Sequence, residues 1–109
     1  MTETVKIQPV KGTGLAEDKD EARQLRTGRI LPALGRGEII ELDFSDIGLA
    51  TQSYIHALIS EAIRRYGDRA VKLLRFTGCN EDVQQVIRAV VRYTSAAAAV
   101  SATVPEPKN

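Results

Sequence analysis

Ser53 and His56 stand three residues apart, a spacing that makes side chains neighbours on a helix, and a hydroxyl beside an imidazole is a starting arrangement for nucleophilic catalysis. His56 is the sole histidine of the chain, so it is the only imidazole base available. No neighbouring loop offers an obvious site for an oxyanion. As a residue type, His56 also suits a helix boundary, with an apolar body and a polar tip, and its titration range leaves a partner contact or a pH-sensitive hydrogen bond open. Asp43 and Asp46 form a second constellation. Two carboxylates at a strand end can bind a cation or exchange protons. The competing role is local: Asp43 accepts backbone N–H groups while Ser45 and Asp46 shape a turn. Asp43, Ser53 and His56 together outline a small enzyme or ligand-binding site. Cys79, at a helix entrance, is either a reactive thiol or a small turn residue.

Neither Cys79 nor His56 lies in a paired spacing, so no metal is expected. The pairs Gly12/Gly14 and Gly35/Gly37 lack the third glycine of a dinucleotide site, and no phosphate loop of the GxxxxGK type occurs, so no cofactor is expected either. Arg23, Arg26 and Arg29 could form a basic patch. Fifteen basic against fourteen acidic residues leave a net charge of +1, which argues against nucleic acid as a partner.

The elements that must position these groups can be read from periodicity. In Glu38–Phe44, Ile40, Leu42 and Phe44 alternate onto one face, as in a strand. A helix opens at Thr51-Gln52-Ser53 and puts Ile55, Leu58, Ile59, Ala62 and Tyr66 on one stripe. Ser53, Ala57, Ser60 and Arg64 fall on the opposite side, a shallow face of small residues. With Thr51, Gln52 and His56 they make a candidate partner-binding surface. Thr51 or Ser53 can cap this helix. Upstream, Thr4–Val10 alternates as a first strand, and an acidic run ahead of Arg23 favours a helix whose stripe is Arg23, Thr27, Ile30, Leu31 and Leu34. Pro32 should kink or end that helix. Downstream, Val71–Phe76 reads as a strand, and Asn80 caps a helix with Val83, Val86, Ile87, Val90 and Thr94 buried.

This alternation predicts an α/β domain spanning residues 1–95, with a partly parallel sheet carrying helices. An alanine-rich, proline-containing flexible tail is expected over residues 96–109. The longest apolar run, Ala96–Val100, is far short of a membrane span, and with a single cysteine the expected location is cytoplasmic, with no membrane partner.

Leu42-Asp43-Phe44-Ser45-Asp46-Ile47, Ala50-Thr51-Gln52-Ser53-Tyr54, and the Lys72–Phe76 strand with its following helix resemble the STAS-like domains. The likeness is greatest to the small bacterial STAS-like domains of unknown function, relatives of the anti-sigma-factor antagonists, and spans Gln24 to Tyr93. It implies a STAS-like fold with a mixed β-sheet of about four strands and three or more helices packed on it. It also implies a noncatalytic domain of bacterial signalling that docks a kinase or ATPase of the histidine-kinase-like fold. The antagonists carry Asp-Ser-Ser-Gly-Leu-Gly at the turn, and their phosphorylated serine aligns with Ser53, the candidate phosphoacceptor. Thr51 stands in place of their Asp, Gln52 in place of the first Ser, and Tyr54 and His56 in place of the two Gly.

Overall fold

The computed structural model describes the backbone of residues 2–103 and the side chains of residues 2–95. In chain order the elements are β1 (Thr2–Lys6), β2 (Leu15–Ala16), α1 (Lys19–Leu25), a π-helical turn (Arg26–Ile30), α2 (Leu31–Gly35) and β3 (Ile39–Asp43). They continue with β4 (Leu49–Ala50), α3 (Gln52–Tyr66), α4 (Asp68–Leu73), β5 (Leu74–Thr77) and α5 (Glu81–Thr103). The architecture is α/β, consistent with a STAS-like fold.

The main sheet has the order β1-β3-β5, and both its ladders are parallel. Thr2 pairs with Ile39 and Ile40 with Leu74, so β3 is central. Its period of two decides its burial: Ile40, Leu42 and the following Phe44 are fully buried, joined by Val5 and Ile7 from β1. Thr4, Lys6, Glu41, Asp43, Arg75 and Thr77 occupy the opposite face, exposed or half-buried. A separate ladder, β2-β4, pairs Leu15 with Leu49 and Ala16 with Ala50, also in parallel. The expected mixed sheet of about four strands is built instead from ladders that are all parallel among the described residues, three strands in one sheet and two short ones in another. Two-residue strands are too brief to show any period.

The helices close one core. Tyr54, Ile55, Leu58, Ile59, Ala62 and Ile63 of α3 lie within it, as do Val83, Ile87 and Val90 of α5. Burying a valine or isoleucine of that kind contributes on the order of 1.5–3 kcal/mol, which anchors α5 to the domain. Val83 N–H donates to Asn80 Oδ1 at 2.8 Å, the N-cap expected from the sequence.

Several expectations are corrected. β1 begins at Thr2 and ends at Lys6, before Pro9 rather than beyond it. Val71 and Lys72 belong to α4, and β5 starts only at Leu74. The short apolar run there fits either periodicity, and Gly67 at φ 61° with Asp68 in the first turn starts a helix. Arg23 and Thr27 are exposed, while Ala22, Ile30, Ala33 and Leu34 are buried. The π turn explains both this and Pro32. Leu31 N–H donates to Arg26 O, five residues back, so one residue is inserted into the helical phase just before the proline that has no N–H to give. α5 continues through the alanine stretch to Thr103, alanine being the strongest helix former. The rest of the expected tail, residues 104–109, lies outside the described residues. No helix among the described residues is long and apolar enough to cross a membrane.

Candidate functional site

The strand ends gather at one edge of the sheet. There Asp43 Oδ1 accepts the Ser45 N–H at 2.9 Å, turning the chain immediately after β3. The bonds from the Ser45 N–H and hydroxyl hold the Asp43 carboxyl below its usual range; burial opposes them, and the Lys6 ammonium adds a lesser push in their direction. Lys6 Nζ also pairs with Asp46 at 3.1 Å, an exposed ion pair. Gly78 lies against this turn at φ +67°, and a Cβ there would stand 2.8 Å from Ser45 N, closer than any real contact. Of the two roles open to this carboxylate pair, Asp43 takes the local one of building a turn, and Asp46 carries the exposed pair with Lys6.

The next residues aim α3. Gly48 N–H donates to Gly14 O at 2.8 Å and Thr51 N–H to Ala16 O at 3.0 Å, while Asn80 Nδ2 donates to Gly48 O at 2.8 Å. Three segments thus fix the point at which α3 begins. Thr51, in an extended conformation, accepts the Tyr54 N–H on its hydroxyl at 3.1 Å. Of the two candidate caps Thr51 takes the role, and the Ser53 hydroxyl carries no hydrogen bond among the described residues.

Gln52, Ser53, His56 and Ala57 line a groove of about 470 Å³, closed on the far sides by Lys19 of α1 and by Val90 and Tyr93 of α5. Ala57 and buried Val90 form an apolar floor, and Tyr93 is 73% exposed at the rim. Four of the seven residues expected on this surface therefore share one groove. The other three divide. Thr51 serves as the cap. Arg64 is exposed but outside the groove. Ser60 is a correction: it is 2% exposed, because α3 is flanked by both α1 and α5 and its outward-facing strip is narrower than the sequence periodicity implies. Lys19, Val90 and Tyr93 were not legible as site residues, since only the approach of α1 and α5 brings them to α3.

His56 Nδ1 lies 3.5 Å from Ser60 Oγ, four residues on, and makes no hydrogen bond to Ser53. Asp43, bonded to Ser45 and packed beside Gly78, does not line the groove that holds Ser53 and His56. The triad of Asp43, Ser53 and His56 is thus divided between two places. Cys79 Sγ contacts Thr77 O at 3.7 Å, and burial, with the Asp43 charge, pushes its thiol up, away from reactivity. Arg26, in the π turn, donates from Nη1 to Ala57 O at 3.2 Å and approaches Glu61 at 3.7 Å, tying the turn to the groove wall. Beneath the start of α3, Tyr54 is fully buried with its hydroxyl unpartnered among the described residues. Burial first, then the charges of Glu21 and Asp18, drives its phenol pKa upward. Among the described residues no three His, Cys, Asp or Glu side chains are placed to hold a metal ion.

Comparison with protein families matches residues 21–84 to the STAS-like domain of unknown function (DUF4325). No curated protein and no solved structure matches the chain. The matched stretch includes the π turn, β3, the capped start of α3, β5 and the start of α5, and covers more than half of the 109 residues. The chain belongs to this family of STAS-like domains.

Proposed function

We propose that this chain is a noncatalytic regulatory interaction domain that docks a protein partner through the start of α3, with Ser53 as a phosphoacceptor. One observation carries the reading: Thr51 caps the helix, leaving Ser53 exposed, with no hydrogen bond to its hydroxyl among the described residues, at the rim of a groove with an apolar floor. Phosphate on Ser53 would add about −1.5 to −2 charges there, which the helix N-terminus tolerates and an acidic docked surface does not. The divided positions of Asp43, Ser53 and His56 support docking over catalysis. Membership of a STAS-like family supports a regulatory role; the bacterial signalling setting and a partner of the histidine-kinase-like kinase or ATPase class rest on the resemblance to the anti-sigma-factor antagonists.

Coexpression with genomic neighbours, followed by capture and intact-mass measurement, tests this. The wild type should carry a phosphate that Ser53→Ala abolishes. Ser53→Asp and Ala57→Arg should each lower partner retention about tenfold or more. An unmodified chain holding its partner equally in all variants would sink both the switch and the groove.

A further inference from the structure

We infer that the groove between α1, α3 and α5 takes an acidic protein segment carrying an apolar anchor residue. The inference rests on the docking reading above and deepens it by naming the chemistry of the occupant. Its basis is the distribution of charge. Lys19 and His56 line the groove, and no carboxylate does so among the described residues. The carboxylates beside Lys19 are otherwise engaged: Asp18 accepts the N–H groups of Asp20 and Glu21, and Asp20 pairs with Arg23. Both face a separate hollow shared with Glu21 and Lys11. Glu61, the acidic residue of α3, is held between Arg26 and Arg65. Lys19 is thus a cation with no carboxylate beside it among the described residues that line the groove, a local charge that a carboxylate on a partner would complement.

The lining also favours an apolar contact beside the ionic one. Ala57 and Val90 offer apolar surface, and the exposed Tyr93 ring is the residue type that anchors interfaces. A volume of about 470 Å³ admits a few side chains, not a whole helix face. The fitting occupant therefore sets one aliphatic or aromatic side chain against Val90 and Tyr93 and carboxylates against Lys19. Phosphate on Ser53 would repel those carboxylates, which gives the proposed switch its sign.

Selection of random dodecapeptides, displayed on phage, against the immobilised full chain tests the inference. The enriched sequences should join Asp or Glu to a single Leu, Ile or Phe. The consensus peptide, synthesised and titrated into labelled protein, should shift the amide signals of Lys19, Ser53, Ala57 and Tyr93. Lys19→Glu and Tyr93→Ala, both at exposed positions, should each weaken binding about tenfold, and the Lys19 effect should fade in high salt. Basic or uncharged winners, or none, overturn the acidic occupant. If Ala57→Arg still releases the captured cellular partner, the docking reading survives that failure. Acidic winners that shift only the separate hollow of Phe76, Cys79 and Ile87 likewise overturn the acidic occupant, and the docking reading falls with it if Ala57→Arg leaves the captured partner bound.

Discussion

Asp43 and Tyr54 hold opposite lessons at the scale of single residues. Asp43 is satisfied by its own turn, and the Ser45 bonds lower its pKa, so its contribution is present above the ordinary carboxylate value and lost as pH falls through the lowered folded value. The melting-temperature gap between wild type and Asp43→Asn should be full above about pH 5 and shrink progressively below about pH 4. A gap that stays constant from pH 6 to pH 3 would refute the assignment. Tyr54 is the converse, a buried hydroxyl with no partner among the described residues. Tyr54→Phe deletes that hydroxyl and keeps the ring, so urea unfolding should show no loss and a gain of up to about 1 kcal/mol. A loss larger than that would mean the hydroxyl is hydrogen-bonded after all. Of the site itself, Ser53, His56 and Ala57 were legible because helical spacing puts them near one another. Ser60 was misplaced for the same reason: periodicity assigns a direction from the helix axis but says nothing of what stands in that direction.

Among the elements, α5 shows how one residue can serve two. Asn80 caps α5 through Val83 N–H and braces the loop before α3 through Gly48 O, each at 2.8 Å. Asn80→Asp keeps a cap acceptor but loses the donor to Gly48, whereas Asn80→Ala loses both. Chemical denaturation should rank them wild type, then Asp, then Ala, with the alanine variant down by about 1–2 kcal/mol; equal values for Asp and Ala would show that the cap contributes nothing. Elements with strong local signals were readable in advance: β3 from its alternation, α3 from its stripe, α5 from its cap and acidic first turn. β2 and β4 were not, having two residues each and no pattern to display. α4 was read as strand because Val71-Lys72-Leu73-Leu74 is too short for period two and period 3.6 to differ. The π turn escaped because it is a phase change, visible only once Ile30 and Leu34 are seen to be buried without Arg23 and Thr27.

For the molecule as a whole, the buried side chains of α5 among the described residues are Val83, Ile87, Val90 and Thr94. A chain cut after Ser95 keeps all four and should keep cooperative unfolding, with a melting temperature within a few degrees of the full chain; a broad, noncooperative transition would move the domain boundary toward Thr103. The parallel order β1-β3-β5 reaches further, into how the chain comes to be folded. Both main ladders join residues about 35 positions apart, and neither can begin as a hairpin. On the ribosome, β1 and β3 emerge well before β5, and β3 keeps one unpaired edge until Thr77 has followed. The hazard of association with other chains is then greatest during synthesis, in a window that closes when the last strand arrives.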